Sequence, residues 1–178
     1  MNPYVSLARN AVEYFVKTGA TITPGDDLAE KILKEKSGIF VTIENKDKLR
    51  GCIGTYLPTK QNIAQEIIYN AIAAASEDSR FYPITEKELP ELSYTVYVLS
   101  EPEPVKVVSE LNPKKYGVIL CSVADPKKCG LLLPDLEGID SIEKQLFACS
   151  QKAGLDLVKE NCHLFKFKVK KYRDVKKD

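Results

Sequence analysis

The chain has 178 residues, of which 44% are hydrophobic and 29% are charged, a composition typical of one globular domain. Lys and Arg number 26 against 25 Asp and Glu, and the net charge of +1 argues against nucleic acid or anionic lipid as a partner. Its longest apolar stretches, residues 117–123 and 130–134, are far shorter than the roughly 20 residues that cross a bilayer. Because residues 1–4 carry no leader pattern, we expect a cytoplasmic protein without a membrane segment.

The first half of the chain mixes helical and strand patterns. Apolar residues recur at three- and four-residue spacing from Leu7 to Val16, and Gly19 supplies a stop, which predicts a first helix over residues 1–19. Asn62 is a suitable N-cap for a long alanine-rich helix that ends near Ser79. Between these two helices the pattern predicts a loop, a short charged helix and two strands joined by a turn: residues 21–27, 28–36, 38–45 and 49–56.

The second half is richer in strands. Its pattern predicts one strand, a hairpin with its tip at residues 124–129, a helix that Gly154 ends, and a closing strand: residues 93–100, 117–123 with 130–134, 141–153 and 163–171. Strands arrive as hairpins with helices between them and not as a regular βαβ series. The sequence therefore predicts an α+β fold with a mainly antiparallel sheet flanked by helices.

The five cysteines show no paired metal-binding spacing. No two stand as C-x-x-C, and their odd number in a chain without a leader favours reduced thiols. Cys121 and Cys129 could face one another across the predicted hairpin, but in a reducing cytosol we expect two thiols. No metal site is expected from scattered ligands, and without a Walker or Rossmann motif no nucleotide cofactor is implied.

The segment L-R-G-C-I-G at residues 49–54 is the most unusual part of the sequence. Gly51 and Gly54 weaken a strand, and they are understandable where a bulge, another backbone or a ligand comes close. Because side chains alternate between the two faces of a strand, Arg50 and Cys52 would lie on one face. There the charge of Arg50 would lower the pKa of the Cys52 thiol and give a reactive thiolate. The alternative is a bulged strand in which Cys52 is a small core residue.

A second candidate segment, D-S-R-F-Y-P at residues 78–83, follows the alanine-rich helix. Asp78 and Arg80 stand two residues apart on a turn closed by Pro83, which favours an ion pair holding the helix exit. The planar guanidinium of Arg80 also suits a carboxylate or phosphate group. Both interpretations remain open at the level of sequence.

These two segments together resemble the AMMECR family, through its L-R-G-C-I-G and D-x-R-F-x-P motifs. G-L-L-L-P at residues 130–134 and C-S-Q-K-A-G-L at residues 149–155 are similar to two further motifs of that family, in the same order. The resemblance covers nearly the whole chain, which we divide into a single domain at residues 3–173 and a Lys-rich tail at 174–178. Two departures, Asp135 after the leucine run and a longer, less basic hairpin tip, put ligand or partner contacts of that tip in doubt.

The resemblance implies an α+β fold of two unequal lobes, with the glycine–cysteine segment near a cleft between them. It implies no agreed activity. Microbial members often occur beside a radical-SAM protein and a Memo-type protein, which suggests a shared pathway. With the residue chemistry above, it points to a ligand site formed by Arg50, Gly51, Gly54, Asp78, Arg80 and Phe81, with Cys52 as candidate nucleophile.

Three functions follow as hypotheses. The first is an enzyme, or the substrate-positioning component of a multi-protein enzyme, acting on a small anionic molecule. The second is a non-catalytic adaptor, for which we expect an exposed apolar strip along residues 130–136. The third, nucleic-acid binding, is opposed by the charge balance.

Two further side chains have a structural and a functional interpretation. His163 is either a base for Cys52 or a lone histidine at a strand edge, and we favour the latter. Lys152 either closes a helix C-terminus or reaches a ligand, and we favour the structural role.

Overall fold

The computed structural model describes residues 2–174, which form helices and antiparallel strands around two separate cores. The helices are α1 (Pro3–Thr18), α2 (Glu30–Lys34), α3 (Ile63–Ser76) and α4 (Ile142–Ala153), with short 3-10 turns at Glu86–Glu91 and Val108–Glu110. The strands are β1 (Ile39–Asn45), β2 (Lys48–Thr55), β3 (Leu92–Leu99), β4 (Glu103–Pro104), β5 (Gly117–Ser122), β6 (Cys129–Leu132), β7 (Cys162–Phe167) and β8 (Val169–Arg173).

The first sheet has the strand order β2-β1-β3-β8, which leaves β2 at one edge. Alternate residues of β1 and β3 point to the same face, where Val41 and Val96 are fully buried against α1 and α3. The N-cap side chains of Asn2 and Asn62 accept hydrogen bonds from the first turns of those helices, as the sequence predicts for Asn62. Within the described residues, this unit comprises residues 2–99 and 170–174.

The second sheet has the order β4-β7-β5-β6, and α4 packs on β5 and β6. Its core contains Val118, Leu120, Leu132 and Cys149, all with at most 5% of their surface exposed. This second unit comprises Ser100–Val169. The α+β class with antiparallel sheets and flanking helices is therefore confirmed.

The predicted closing strand is in fact two strands. β7 pairs with β5 in the second sheet, and β8 joins β3 in the first. Two hydrogen bonds hold Lys168, the residue between β7 and β8, against Ser100, which follows β3. The Ser100 N–H donates to the Lys168 carbonyl and the Lys168 N–H donates to Ser100 Oγ, both at 2.9 Å. Phe165, Phe167 and Val169 alternate across the change of sheet, and the pattern is interrupted only beyond it, at Lys170 and Lys171.

The expectation of reduced cysteines is wrong for Cys121 and Cys129, which form a disulfide. The two residues lie directly opposite each other on β5 and β6. The Ser122 N–H donates to the Lys128 carbonyl in the adjacent pair, so Cys121 and Cys129 occupy a non-hydrogen-bonded position, where opposing strands come closest. Their Cα atoms are only 4.2 Å apart, which brings the sulfur atoms together. This distance is set by the pairing of the two strands and not by the length of the hairpin tip.

Among residues 2–174, no helix combines the length and apolar character needed to cross a bilayer. The predicted tail lies outside the described residues, apart from Asp174. Asp174 belongs to the folded chain, because its carboxylate accepts hydrogen bonds from Arg9 and from the Tyr94 N–H. The division into one domain at residues 3–173 stays a prediction.

Close packing of β2 against α3 depends on Gly51. A Cβ atom at this position would collide with the backbone carbonyl of Ala74. A backbone carbonyl inside a helix cannot move aside, so no residue larger than glycine fits without displacing β2 from α3.

We expect Gly51→Ala to lower the free energy of unfolding by about 1–3 kcal/mol, because the added methyl overpacks a rigid contact. Urea denaturation measures the change. Gly25→Ala is the matched control, since a Cβ there meets only the end of the flexible Asp27 side chain. Equal stability of the Gly51 variant and the wild type would contradict this role.

Candidate functional site

The predicted site segment, residues 49–54, forms most of the edge strand β2 and contains a β-bulge. Ile43 of β1 lies opposite Gly51 while Glu44 lies opposite Leu49, so Arg50 is the extra residue. The bulge interrupts the two-residue alternation on which the predicted pairing of Arg50 with Cys52 depends. The glycines do mark close approaches: Gly51 lies against α3, and Gly54 lies against the ring of Phe40.

The edge of β2 at Cys52 is capped by the predicted Asp78–Arg80 pair. The Cys52 N–H donates to Asp78 Oδ2 at 2.9 Å, and Arg80 Nη2 donates to the Cys52 carbonyl at 3.4 Å. A neighbouring strand would satisfy the same two backbone groups. The ion pair therefore protects an otherwise open sheet edge.

Asp78 holds Arg80 in one orientation. Its two carboxylate oxygens accept from Arg80 Nε at 2.9 Å and from Nη2 at 2.7 Å, a bidentate pair. These hydrogen bonds from Arg80 are the main cause that lowers the pKa of Asp78 to about 2, and the Cys52 N–H adds to the effect against the opposing influence of burial. Asp78 is thus a fixed anion at neutral pH and a poor proton acceptor.

The guanidinium of Arg80 keeps one side open. Its Nη1 makes no hydrogen bond within residues 2–174, and 55% of its side chain is exposed although the carboxylate of Asp78 is buried. The hydrogen bonds that Arg80 donates to Asp78 raise the pKa of Arg80, and the nearby Cys52 contributes to the rise. The cation beside Cys52 is therefore Arg80.

The side chain of Arg50 forms an ion pair with Glu88. Its Nε donates to Glu88 Oε1 at 2.6 Å and its Nη2 donates to Oε2 at 3.2 Å. Glu88 also accepts from the Thr85 N–H at 2.9 Å, in a capping box at the start of a 3-10 turn. Sequence analysis missed Glu88, although T-x-x-E at residues 85–88 is a readable capping signal.

The thiol of Cys52 lies beside a row of polar side chains on the first sheet. Thr42 is its cross-strand partner on β1, and Thr42 Oγ1 donates to Cys52 Sγ at 3.1 Å. Tyr97 lies on β3, on the same face of the sheet as Thr42. Burial raises the pKa of the Tyr97 hydroxyl, while its interaction with Thr42 acts in the opposite direction. These contacts join three strands and could not be read from local sequence.

Phe81 brings the two arginines of the site together. Its ring centroid lies 5.5 Å from the guanidinium carbon of Arg80 and 5.9 Å from that of Arg50, within the range of cation–π contacts. The next residue, Tyr82, has 91% of its surface exposed. The turn after α3 thus presents a fixed cation, an aromatic ring and an exposed tyrosine.

His163 and Lys152 lie in the second unit. His163 is opposite Cys121 on β7, which gives no support to a pairing with Cys52. Lys152 Nζ donates to the Leu131 carbonyl at 3.2 Å and so caps the edge strand β6, a structural contact different from the expected closure of a helix C-terminus. No group of three or more His, Cys, Asp or Glu side chains within residues 2–174 is arranged to hold a metal ion.

Comparison with known proteins agrees with these motifs. The family model described as AMMECR1 matches residues 5–172. The chain belongs to the AMMECR1 family. A Thermotoga maritima protein is 46% identical over 173 residues, which cover 97% of this chain and 98% of that protein. An uncharacterized Pyrococcus horikoshii protein of known crystal structure is 30% identical, with a TM-score of 0.87 over 96% of this chain and 89% of that one.

A longer relative shows the AMMECR1 sequence as one part of a larger polypeptide. A Clostridium acetobutylicum protein is 42% identical over 174 residues, which cover 97% of this chain and only 36% of that protein. The chain thus spans about a third of that relative.

The four family motifs pair within the two units. The D-x-R-F turn caps the glycine–cysteine strand in the first unit. In the second, Gly130 of the G-L-L-L-P segment lies against the backbone of Cys149, and Lys152 caps the same strand. Each pair joins an edge strand to a helix or to the turn that follows it, so several residues of these segments have a structural role in this chain.

We expect Asp78→Asn to lower the free energy of unfolding by about 1–2 kcal/mol near neutral pH, since it weakens the bidentate pair, with a discount for the exposed Arg80. The pKa of Asp78 falls from 3.8 to about 2 on folding, so this stability is present above 3.8 and is lost as pH drops toward 2. Urea denaturation of the wild type and the variant across this interval measures the loss.

The control for this prediction is Asp140→Asn. The pKa of Asp140 is also lowered by a cation, here Lys144, but this pair is exposed to solvent. We therefore expect Asp140→Asn to cause no measurable change in the free energy of unfolding. A gap between wild type and Asp78→Asn that does not narrow in acid would contradict the assignment.

Proposed function

We propose that the chain is a substrate-positioning component that holds a small anionic molecule at Arg80, beside Cys52, and works in the cytosol with partner proteins. The partners implied by the family resemblance are radical-SAM and Memo-type proteins. One observation carries the proposal: a guanidinium fixed by a buried carboxylate leaves its Nη1 side exposed next to a half-buried thiol.

The geometry favours an anion because Arg80 is already oriented. Asp78 and the Cys52 carbonyl occupy Nε and Nη2, so a carboxylate or phosphate oxygen would meet Nη1 without first ordering the side chain. Asp78 neutralises part of the charge, which supports weak and reversible binding. Phe81 offers an apolar surface for the rest of the ligand.

Positioning fits the surroundings of Cys52 better than independent catalysis. The hydroxyl of Thr42 donates to the sulfur and supplies no base, and Asp78, with its pKa of about 2, is committed to the Cys52 N–H and Arg80. A thiol held in this way is an anchor for a ligand or for an intermediate made elsewhere. The nucleophilic role of Cys52 stays a hypothesis for the partnered assembly.

The adaptor is the second candidate, and exposed apolar side chains support it. The expected strip along residues 130–136 is not continuous, since Gly130 and Leu132 are buried and Leu136 is exposed. Phe147 and Val158 in the same unit are more exposed, at 64% and 93%. The longer Clostridium relative is also compatible with a domain that works attached to another.

Titration of the ¹⁵N-labelled protein with inorganic phosphate and with succinate tests the proposal. We expect saturable shifts of the Arg80 side-chain N–H and the Cys52 amide, with millimolar affinity. Arg80→Gln should weaken binding at least about tenfold, because it removes the charge of the fork, while Arg80→Lys should recover only part of the affinity.

Arg173→Gln provides the control, since Arg173 is a similarly exposed arginine paired with Glu44. It should leave the Cys52 shifts unchanged. Non-saturating shifts that are equal in wild type, Arg80→Gln and Arg173→Gln would show general screening by salt and would overturn the proposed site.

A further inference from the structure

The disulfide of the second sheet has the one histidine of the sequence as its neighbour. Cys121 is opposite Cys129 on one side and opposite His163 on the other. Residues directly opposite in a sheet share a face, with Cβ atoms about 4.5–5.5 Å apart. The three side chains Cys129, Cys121 and His163 therefore form a row across β6, β5 and β7.

The two sulfur atoms of this row are not equivalent. Cys129 lies on the edge strand β6, whereas Cys121 lies on β5 between two paired strands. Lys127 and Lys128 precede Cys129, and Lys128 forms an ion pair with Glu160 at 3.5 Å. A thiolate that approaches from the sheet edge thus meets Cys129 first.

The hairpin has other contacts that hold it when the disulfide is open. β5 and β6 are paired from Val118 with Leu132 onward, and Cys149 Sγ lies 3.3 Å from the Gly130 carbonyl. Lys152 caps the outer side of β6 as well. Cleavage of the disulfide is therefore compatible with a folded protein.

We propose that Cys121–Cys129 with His163 is a thiol–disulfide exchange site that accepts two electrons from a dithiol. The dithiol's thiolate attacks Cys129 Sγ, a mixed disulfide forms, and the Cys121–Cys129 bond breaks. Cys121 leaves as a thiolate, and a ring N–H of the neighbouring His163 relays a proton to it from solvent. This site is separate from the anion site at Arg80 and does not depend on it.

The second step completes the exchange. The other thiol of the reductant loses its proton and attacks its own sulfur in the mixed disulfide, which releases Cys129 as a thiolate that is protonated from solvent. The reductant leaves as a disulfide, and His163 regains its proton from solvent. The protein gains two electrons and two protons, which the dithiol supplies in sum.

Reduction of the native protein by dithiothreitol, followed by alkylation and mass spectrometry of Cys121 and Cys129, tests the proposal. We expect reduction without loss of the circular dichroism of the folded state, and reoxidation by oxidised dithiothreitol. His163→Gln should slow the reduction at least about tenfold, because the leaving thiolate loses its proton donor. Lys144→Gln, on a different surface pair, should reduce at the wild-type rate.

The direction of attack gives an independent readout. With the monothiol glutathione, the trapped mixed disulfide should be found on Cys129 and not on Cys121. Reduction only in denaturant would show a purely structural disulfide. An unchanged rate in His163→Gln, or the adduct on Cys121, would overturn the assigned roles, and any of these results rejects the proposal.

Discussion

The contact between β2 and α3 at Gly51 is the constraint on which the candidate site depends. Gly51 holds β2 against α3, and because β2 is an edge strand one row of its backbone groups must be satisfied by other parts of the chain. Asp78 and Arg80 do so from the turn that follows α3, one at the Cys52 N–H and the other at its carbonyl. The orientation of Arg80 is thus a consequence of how the edge of β2 is closed.

The second unit repeats the same solution with different residues. Gly130 lets β6 approach α4, and Lys152 closes the outer side of that strand. Several residues of the segments that resemble the family therefore have a structural task in this chain. Arg80 differs from Lys152 in that a carboxylate holds its planar guanidinium in one orientation, with Nη1 left without a hydrogen bond among the described residues.

Local signals predicted much of this arrangement, and contacts between distant segments account for the rest. Gly51 and Gly54 indicated close approach, and Asp78 and Arg80 indicated an ion pair, because spacing within a short segment determines both. The partner of Arg50 could not be assigned, since Glu88 reaches it through tertiary packing after a bulge. The split of the last strand was missed because Phe165, Phe167 and Val169 alternate across it, and the pattern is interrupted only beyond the split, at Lys170 and Lys171.

The most direct test of the account compares alkylation of Cys52, Cys149 and Cys162 by neutral iodoacetamide and anionic iodoacetate, resolved by mass spectrometry. We expect Cys52 to react first and to show the highest ratio of iodoacetate to iodoacetamide labelling, because Arg80 attracts the anion. Cys149 should react last, since burial raises its pKa to about 11. A Cys52 that stays unlabelled until the protein unfolds, or that shows no preference for iodoacetate, would contradict an anion site beside an accessible thiol.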